Sequence, residues 1–230
     1  MVAAMARMNL IVFTALCATA ASVAVAVARS EKTGCSAYVP ASGELVAHAG
    51  GGLPDRMYAN DADALNLAAQ HGFRLIELDF MERDGRLTIG HDGKPESGLS
   101  LPELMVWLDA HPGISIVTDV KTPNIAGLAL LKQAAGPRVN RFIPQIYHPD
   151  QYGPAMALGY PAPILTVYRL GDDGWQEPAN ALPLRAVTIA VERRHLARQV
   201  RHPVFLHTVD EPMEGYGLYT DCLIPAPPAA

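Results

Sequence analysis

The chain has 230 residues, half of them apolar, with 18 Lys and Arg against 23 Asp and Glu and a formal charge of −5. A net acidic chain without a Lys/Arg-rich run is excluded from the proteins that grip nucleic acid through its phosphates. At 50% apolar and 18% charged, the composition is that of a folded chain, long enough for one large domain or two small ones.

The first stretch is unlike the rest. From Met8 to Ala28, between Arg7 and Arg29, there is no charged residue, and Ala, Val and Leu dominate. Arg7 serves as the positive n-region of a secretory signal, Asn9–Ala20 as its apolar h-region, and Ala26-Val27-Ala28 as an A-x-A cleavage site. The second reading is a retained membrane anchor over residues 8–28, since about 20 apolar residues span a bilayer. Either way the folded part is exported, periplasmic or secreted. The expected organisation is a signal or anchor at 1–28, an extension at 29–43, one domain at 44–224 and a Pro-rich tail at 225–230. Cleavage after Ala28 removes Cys17 and leaves Cys35 and Cys222, an even count in an oxidising compartment. They are candidates for a disulfide worth about 4–5 kcal/mol in the chain-entropy model. Two unpaired buried thiols are the other reading.

Eight short β-rich runs follow: 44–50, 74–80, 115–121, 142–147, 163–169, 186–191, 204–209 and 218–223. Helical patterns fill most of the intervals, at 62–70, 101–110, 125–135, 149–158 and 192–200. Ser100 with Pro102 is an N-cap followed by a proline in the first helical turn. The intervals 171–182 and 210–217 are too short or too rich in Pro and Gly for firm helices. Strand alternating with helix eight times predicts an α/β protein, a single (β/α)8 TIM barrel with short loops. The Gly50-Gly51-Gly52 turn after the first strand suggests the alternative, an open doubly wound sheet. However, Leu53, Pro54 and Asp55 stand where a dinucleotide fingerprint needs its third glycine and a helix start.

Side chains two apart on a strand share a face. Ile76, Leu78 and Phe80 suit packing against outer helices, so Leu75, Glu77 and Asp79 face inward, with both carboxylates at the strand's C-terminal end. Buried carboxylates repel unless a cation or proton separates them, and a hard divalent ion with oxygen ligands, Mg²⁺ or Ca²⁺, answers that need. The third strand repeats the device, with Asp119 as a third carboxylate and Lys121 as a positive charge for an anionic ligand. An internal carboxylate–Lys ion pair is the plainer reading of the same residues. His48 ends the first strand beside glycines that would let a ligand approach the backbone. His91 ends a hairpin, 81–91, that turns at Asp84-Gly85. Two imidazoles flanking a cation site suit acid–base chemistry near neutral pH. Gln145, Tyr147 and Tyr168 are candidates for hydrogen bonds to a polar head group, and His207 is undecided. His71, His111, His195 and His202 fall in helical or loop contexts with no partner in the pattern.

In order and spacing, His48-Ala-Gly-Gly, Asn60, Glu77-Leu-Asp79, Asp84-Gly85 and His91-Asp92 resemble the signature of glycerophosphodiester phosphodiesterases. That family carries H-R-G, E-N-T, E-x-D, D-G and H-D. Thr118-Asp119-Val120-Lys121 falls where it carries E-I-K, and Tyr219-Thr220-Asp221 where it carries I-T-D. The resemblance implies a TIM barrel, His48 and His91 as the acid–base pair, Glu77, Asp79 and Asp119 as metal ligands and Lys121 as a phosphate contact. It also implies a small phosphodiester or lysophospholipid as substrate. Membrane contact would come only through that lipid or an uncleaved N-terminus. Three positions depart from the pattern: Ala49 replaces the arginine, Ala59 the glutamate before Asn60, and Asp119 the usual glutamate. An Asp at that third-strand position also resembles the sphingomyelinase D-like phospholipases of the same superfamily. A barrel that binds phosphodiesters without cleaving them is the non-enzymatic alternative. A serine hydrolase lacks its G-x-S-x-G, and zinc lacks H-E-x-x-H or paired C-x-x-C.

Overall fold

Alternating apolar residues and short connections build a closed ring of parallel strands. The computed structural model describes residues 44–53, 58–91, 97–211 and 213–222, all within the compact unit Ala37–Ala230. The strands are β1 (Leu45–Ala47), β2 (Leu75–Arg83), β3 (Arg86–Ile89), β4 (Ser115–Val120), β5 (Phe142–Ile146), β6 (Ile164–Thr166), β7 (Ala186–Ala190), β8 (Val204–His207) and β9 (Gly217–Thr220). Eight of them run parallel in the order β1-β9-β8-β7-β6-β5-β4-β2, and the β1–β2 pairing closes the barrel. The ninth, β3, pairs antiparallel with the end of β2 and stands outside the ring. Its turn is the expected Asp84-Gly85, both at positive φ (52° and 75°), the two-residue geometry whose twist matches a hairpin.

All eight predicted strands are present, most of them shorter at one or both ends. The helices Ala62–Gln70 and Leu101–Ala110 have the predicted bounds, and Asn124–Ala135 begins one residue earlier than expected. Asp61 caps the first by accepting from Ala64 N–H at 3.0 Å, and Ser100 with Glu103 forms a capping box on the second. The expected helix over 149–158 is a 3₁₀ turn, Pro149–Gln151, leading into Tyr152–Ala157. Over 192–200 the helix is 3₁₀ throughout, Val191–Gln199, because only Leu196 of its nine side chains is buried. With so little apolar surface docked, little packing favours the wider α-helical turn. The interval 171–182, expected to lack a firm helix, holds a short one at Gln176–Asn180.

The barrel interior is layered by the two-residue period. At its N-terminal end each of the eight strands supplies one apolar side chain: Val46, Leu75, Val117, Ile143, Ile164, Ala186, Phe205 and Tyr219. Ile76, Leu78, Phe80, Ile116 and Val120 lie in the separate core between strands and helices, as their alternation predicts. Two residues further along each inward face the layer turns polar: His48, Glu77, Asp119, Gln145, Thr166, Thr188, His207 and Asp221. Fully burying one Leu- or Ile-sized side chain contributes about 1.5–3 kcal/mol, so the lower layer and outer core stabilise the ring while the upper layer is left for chemistry. Among the described residues, no helix is long and apolar enough to cross a membrane. The proposed signal at 1–28, Cys35 and the tail at 225–230 lie outside them. Cys222 is buried and disulfide-bonded.

Candidate active site

The β2–β4 register sets Asp79 beside Asp119. Glu77, Asp79 and Asp119 are all at most 3% exposed and offer oxygens lying within 4.8 Å of one another. Each is held from a different side. Glu77 Oε2 accepts the Ala49 N–H at 2.6 Å. Asn60, fully buried, donates from Nδ2 to Asp79 Oδ2 and accepts the Asp79 N–H at Oδ1, both at 2.8 Å. Tyr147 donates its hydroxyl to Asp119 Oδ1. Lys121 Nζ sits 2.6 Å from Asp119 Oδ2 and 2.9 Å from Asp79 Oδ1, the latter contact lacking hydrogen-bond geometry.

Burial, reinforced by Asp79 and Asp119, pushes the Glu77 carboxyl well above its usual range. Burial works against the Lys121 charge, but Asp119, Glu77 and Asp79 outweigh it and raise its pKa, so the ammonium stays protonated. With all three carboxylates ionised, one ammonium leaves two negative charges, the charge of one divalent cation. Glu77 Oε1 has no hydrogen-bond partner though fully enclosed. A compact, oxygen-only, doubly negative cluster with an unpartnered oxygen fits a hard divalent ion.

The histidines stand beside this cluster. His48 is 3% exposed, and its Nδ1 lies 2.9 Å from Asp221 Oδ1. An ionised Asp221 accepts Nδ1–H, which leaves Nε2 as the basic nitrogen. Asp221 is itself fixed, since Asp210 Oδ1 accepts both its backbone N–H at 2.9 Å and the Thr220 hydroxyl at 2.7 Å. Gly90 N–H bonds the Asp79 carbonyl at 3.0 Å, which places the following residue, His91, at the carboxylate end of β2. The rings of His48 and His91 both stand edge-on to Tyr58, at 5.1 and 5.3 Å between centroids. Tyr58 and Asn60 occupy left-handed backbone conformations, φ 57° and 51°, which non-glycine residues adopt only when their surroundings hold them there.

Of the glycines after β1, Gly52 makes a close approach within the protein itself. Gly52 N–H bonds the Asp221 carbonyl at 3.0 Å, and a Cβ at Gly52 would lie 2.4 Å from that oxygen. The close backbone approach is thus to Asp221, under the His48 carboxylate partner. Gln145, as buried as Glu77, spends its Oε1 inside the barrel rather than on a head group, accepting from Thr166 at 2.8 Å and Tyr219 at 3.1 Å. Tyr147 is committed to Asp119, while Tyr168 and His207 pack edge-on at 5.0 Å. Sequence reasoning gave no role to Tyr58 and none of its own to Asn60 or Asp221, although Asn60 and the Thr220-Asp221 pair are the residues that match the family string there.

His207 titrates abnormally. Burial, then the charges of His48 and Lys121, push its imidazole down to about 3. Unfolded, the same side chain takes a proton near pH 6.5. The stability it contributes is therefore complete above about pH 6.5 and is lost as pH falls toward 3. His207→Phe is expected to flatten this part of the profile, shrinking the loss of stability between pH 7 and pH 5 by about 1–2 kcal/mol in denaturant melts.

The sequence matches no protein-family model and no curated protein. Solved structures do match. A protein assigned as a glycerophosphodiester phosphodiesterase from Galdieria sulphuraria superposes with TM-score 0.58 at 14% identity, covering 81% of this chain and 96% of its own. The glycerophosphodiester phosphodiesterase of Agrobacterium tumefaciens gives 0.50 at 16% identity, covering 79% and 96%. An Oleispira antarctica phosphodiesterase, solved in complex with its product sn-glycerol-3-phosphate, gives 0.56 at 16% identity, covering 77% and 92%. In fold, then, this chain is similar to the glycerophosphodiester phosphodiesterases, the family whose signature its sequence resembles.

Proposed function

We propose that the protein is an exported, metal-dependent phosphodiester hydrolase acting on glycerophosphodiesters or related lipid head groups. The observation that carries this reading is the union, at one barrel mouth, of a three-carboxylate cation site with two histidine rings set about Tyr58. Glu77, Asp79 and Asp119 would hold Mg²⁺ or Ca²⁺, which when bound supplies positive charge to the phosphoryl oxygens. Lys121, protonated between Asp79 and Asp119, lends a second positive charge to an anionic substrate. His48, with Nδ1 tied to Asp221, takes a proton at Nε2 from the attacking hydroxyl or returns one to the leaving alkoxide. His91 performs the complementary transfer. The attacking hydroxyl is water or the substrate's neighbouring alcohol, the latter yielding a cyclic phosphate. The small phosphodiester substrate of this reading accords with the product held by the Oleispira protein.

The test is alcohol release from glycerophosphodiesters and lysophospholipids by the purified chain with Mg²⁺ or Ca²⁺. His48→Ala is expected to lower kcat by about 10²–10⁴-fold, the usual contribution of a positioned acid–base group, with substrate affinity little changed. No cation-dependent turnover in the wild type would overturn the enzymatic reading. It would favour a binding barrel in which the Lys121 bridge itself satisfies Asp79 and Asp119. Export is tested separately, by a mature N-terminus at Arg29 in the periplasm or medium.

A further inference from the structure

Several groups at the barrel mouth take no part in that chemistry. His207 ends β8, with its ring 4.7 Å from His48, 5.0 Å from Tyr168 and 5.4 Å from Tyr219. Its Nδ1 lies 2.6 Å from the Thr208 hydroxyl, so Nε2 is the nitrogen it can offer a ligand. Tyr168 and the exposed Arg169 follow β6, and the Arg169 guanidinium lies over the Tyr147 ring, 5.1 Å from its centroid. Arg193 keeps this loop in place. It donates to the carbonyls of Val167 at 3.2 Å and Gly171 at 2.7 Å and pairs with Asp172 at 2.8 Å.

We infer that His207, Tyr168 and Arg169 form the wall that recognises the alcohol esterified to the phosphate, accepting an uncharged, hydroxyl-bearing alcohol and rejecting a quaternary ammonium. The inference rests on the phosphodiester reading of the site. A quaternary ammonium is bound by open aromatic faces and a negative field. Here the face of Tyr147 is covered by Arg169, the ring of Tyr168 meets His207 edge-on, and Lys121 lies among the carboxylates. Once a divalent cation balances the two negative charges left beside Lys121, a cationic head group would meet the Arg169 guanidinium. His207 stays neutral, and burial followed by the charge of Asp119 keeps the Tyr168 hydroxyl protonated. Each can therefore exchange a hydrogen bond with an alcohol hydroxyl. A wall built for such bonds rejects a ligand that leaves them unmade. Arg169 also returns a positive charge to a mouth that carries Ala49 where the related signature has arginine.

Glycerophosphoglycerol and glycerophosphocholine share the phosphate and one glycerol and differ in the second alcohol. Calorimetric titration of the cation-loaded full chain is expected to show at least about tenfold tighter binding of glycerophosphoglycerol. Arg169→Ala should bring the two within about threefold by improving choline-ester binding, whereas His207→Phe should do so by weakening the glycerol ester. Choline-ester binding as tight as the glycerol ester's in the wild type, a preference unmoved by both substitutions, or no binding of either ester would overturn the inference. Turnover is read in parallel. Preferential binding without turnover would overturn the hydrolase reading and leave the head-group assignment standing. Turnover without preference would do the reverse.

Discussion

Glu77→Gln is expected to abolish cation-dependent turnover without unfolding the protein. Glu77 is 1% exposed and crowded by Asp79 and Asp119, and its one partnered oxygen accepts the Ala49 N–H. Glutamine keeps an acceptor for that bond and removes a buried charge that the metal-free protein carries at a cost. Cation affinity, read by calorimetry, should collapse, and kcat/KM should fall by about a thousandfold, roughly 4 kcal/mol of transition-state stabilisation. The melting temperature in chelator should hold or rise. The pH dependence has a definite sign. A carboxyl whose folded pKa lies above its unfolded value near 4.5 binds protons more tightly in the folded state, so its ionisation destabilises the metal-free fold as pH rises through that window. Glu77→Gln should remove this loss, and saturating Mg²⁺ or Ca²⁺ should remove it in the wild type. A variant that binds the cation as well as wild type would exclude Glu77 as a ligand.

Gly52→Ala is expected to damage both stability and chemistry, because the obstacle is backbone. Its Cβ would lie 2.4 Å from the Asp221 carbonyl oxygen, and the same oxygen accepts the Gly52 N–H. Relieving the overlap must separate the β1 turn from the segment that ends β9, at about 1–3 kcal/mol for an overpacked site. The same displacement draws the Asp221 carboxylate from His48 Nδ1, so kcat should fall by about 10–100-fold beyond any loss of folded protein. Gly217→Ala is the control. Its Cβ would meet the Phe205 ring at 2.5 Å in the apolar lower layer, on the same strand but away from the histidines. It should lower the melting temperature while the folded fraction keeps its kcat. Equal kcat losses in the two variants would refute the link from Gly52 through Asp221 to His48.

Local periodicity determined much about this chain. Short β-rich runs marked all eight barrel strands, and the period of two along the second and third assigned Glu77, Asp79, Asp119 and Lys121 to the inward face, since side-chain direction along a strand is a local property. Ser100 and the Asp84-Gly85 turn act within a few residues of themselves, and they too were legible as cap and turn. The helix type at Val191–Gln199 was not, because it follows from how few of its side chains are buried.

What only the tertiary structure decided is which distant groups meet. His48 and Asp221 are 173 positions apart, and their bond exists because closure of the ring sets β1 beside β9. The same closure sends the glycine turn against the Asp221 carbonyl. Tyr147 reaches Asp119 across 28 positions, and Tyr58 stands between two histidines from opposite ends of a 43-residue interval. Sequence spacing carries no information about such contacts, which depend on strand order, on register and on the positive-φ residues that turn the loops inward. Alternation put the acids and Lys121 on one inward face, but only packing showed that Lys121 bridges Asp79 and Asp119 and leaves the deficit of two charges that a divalent ion would fill.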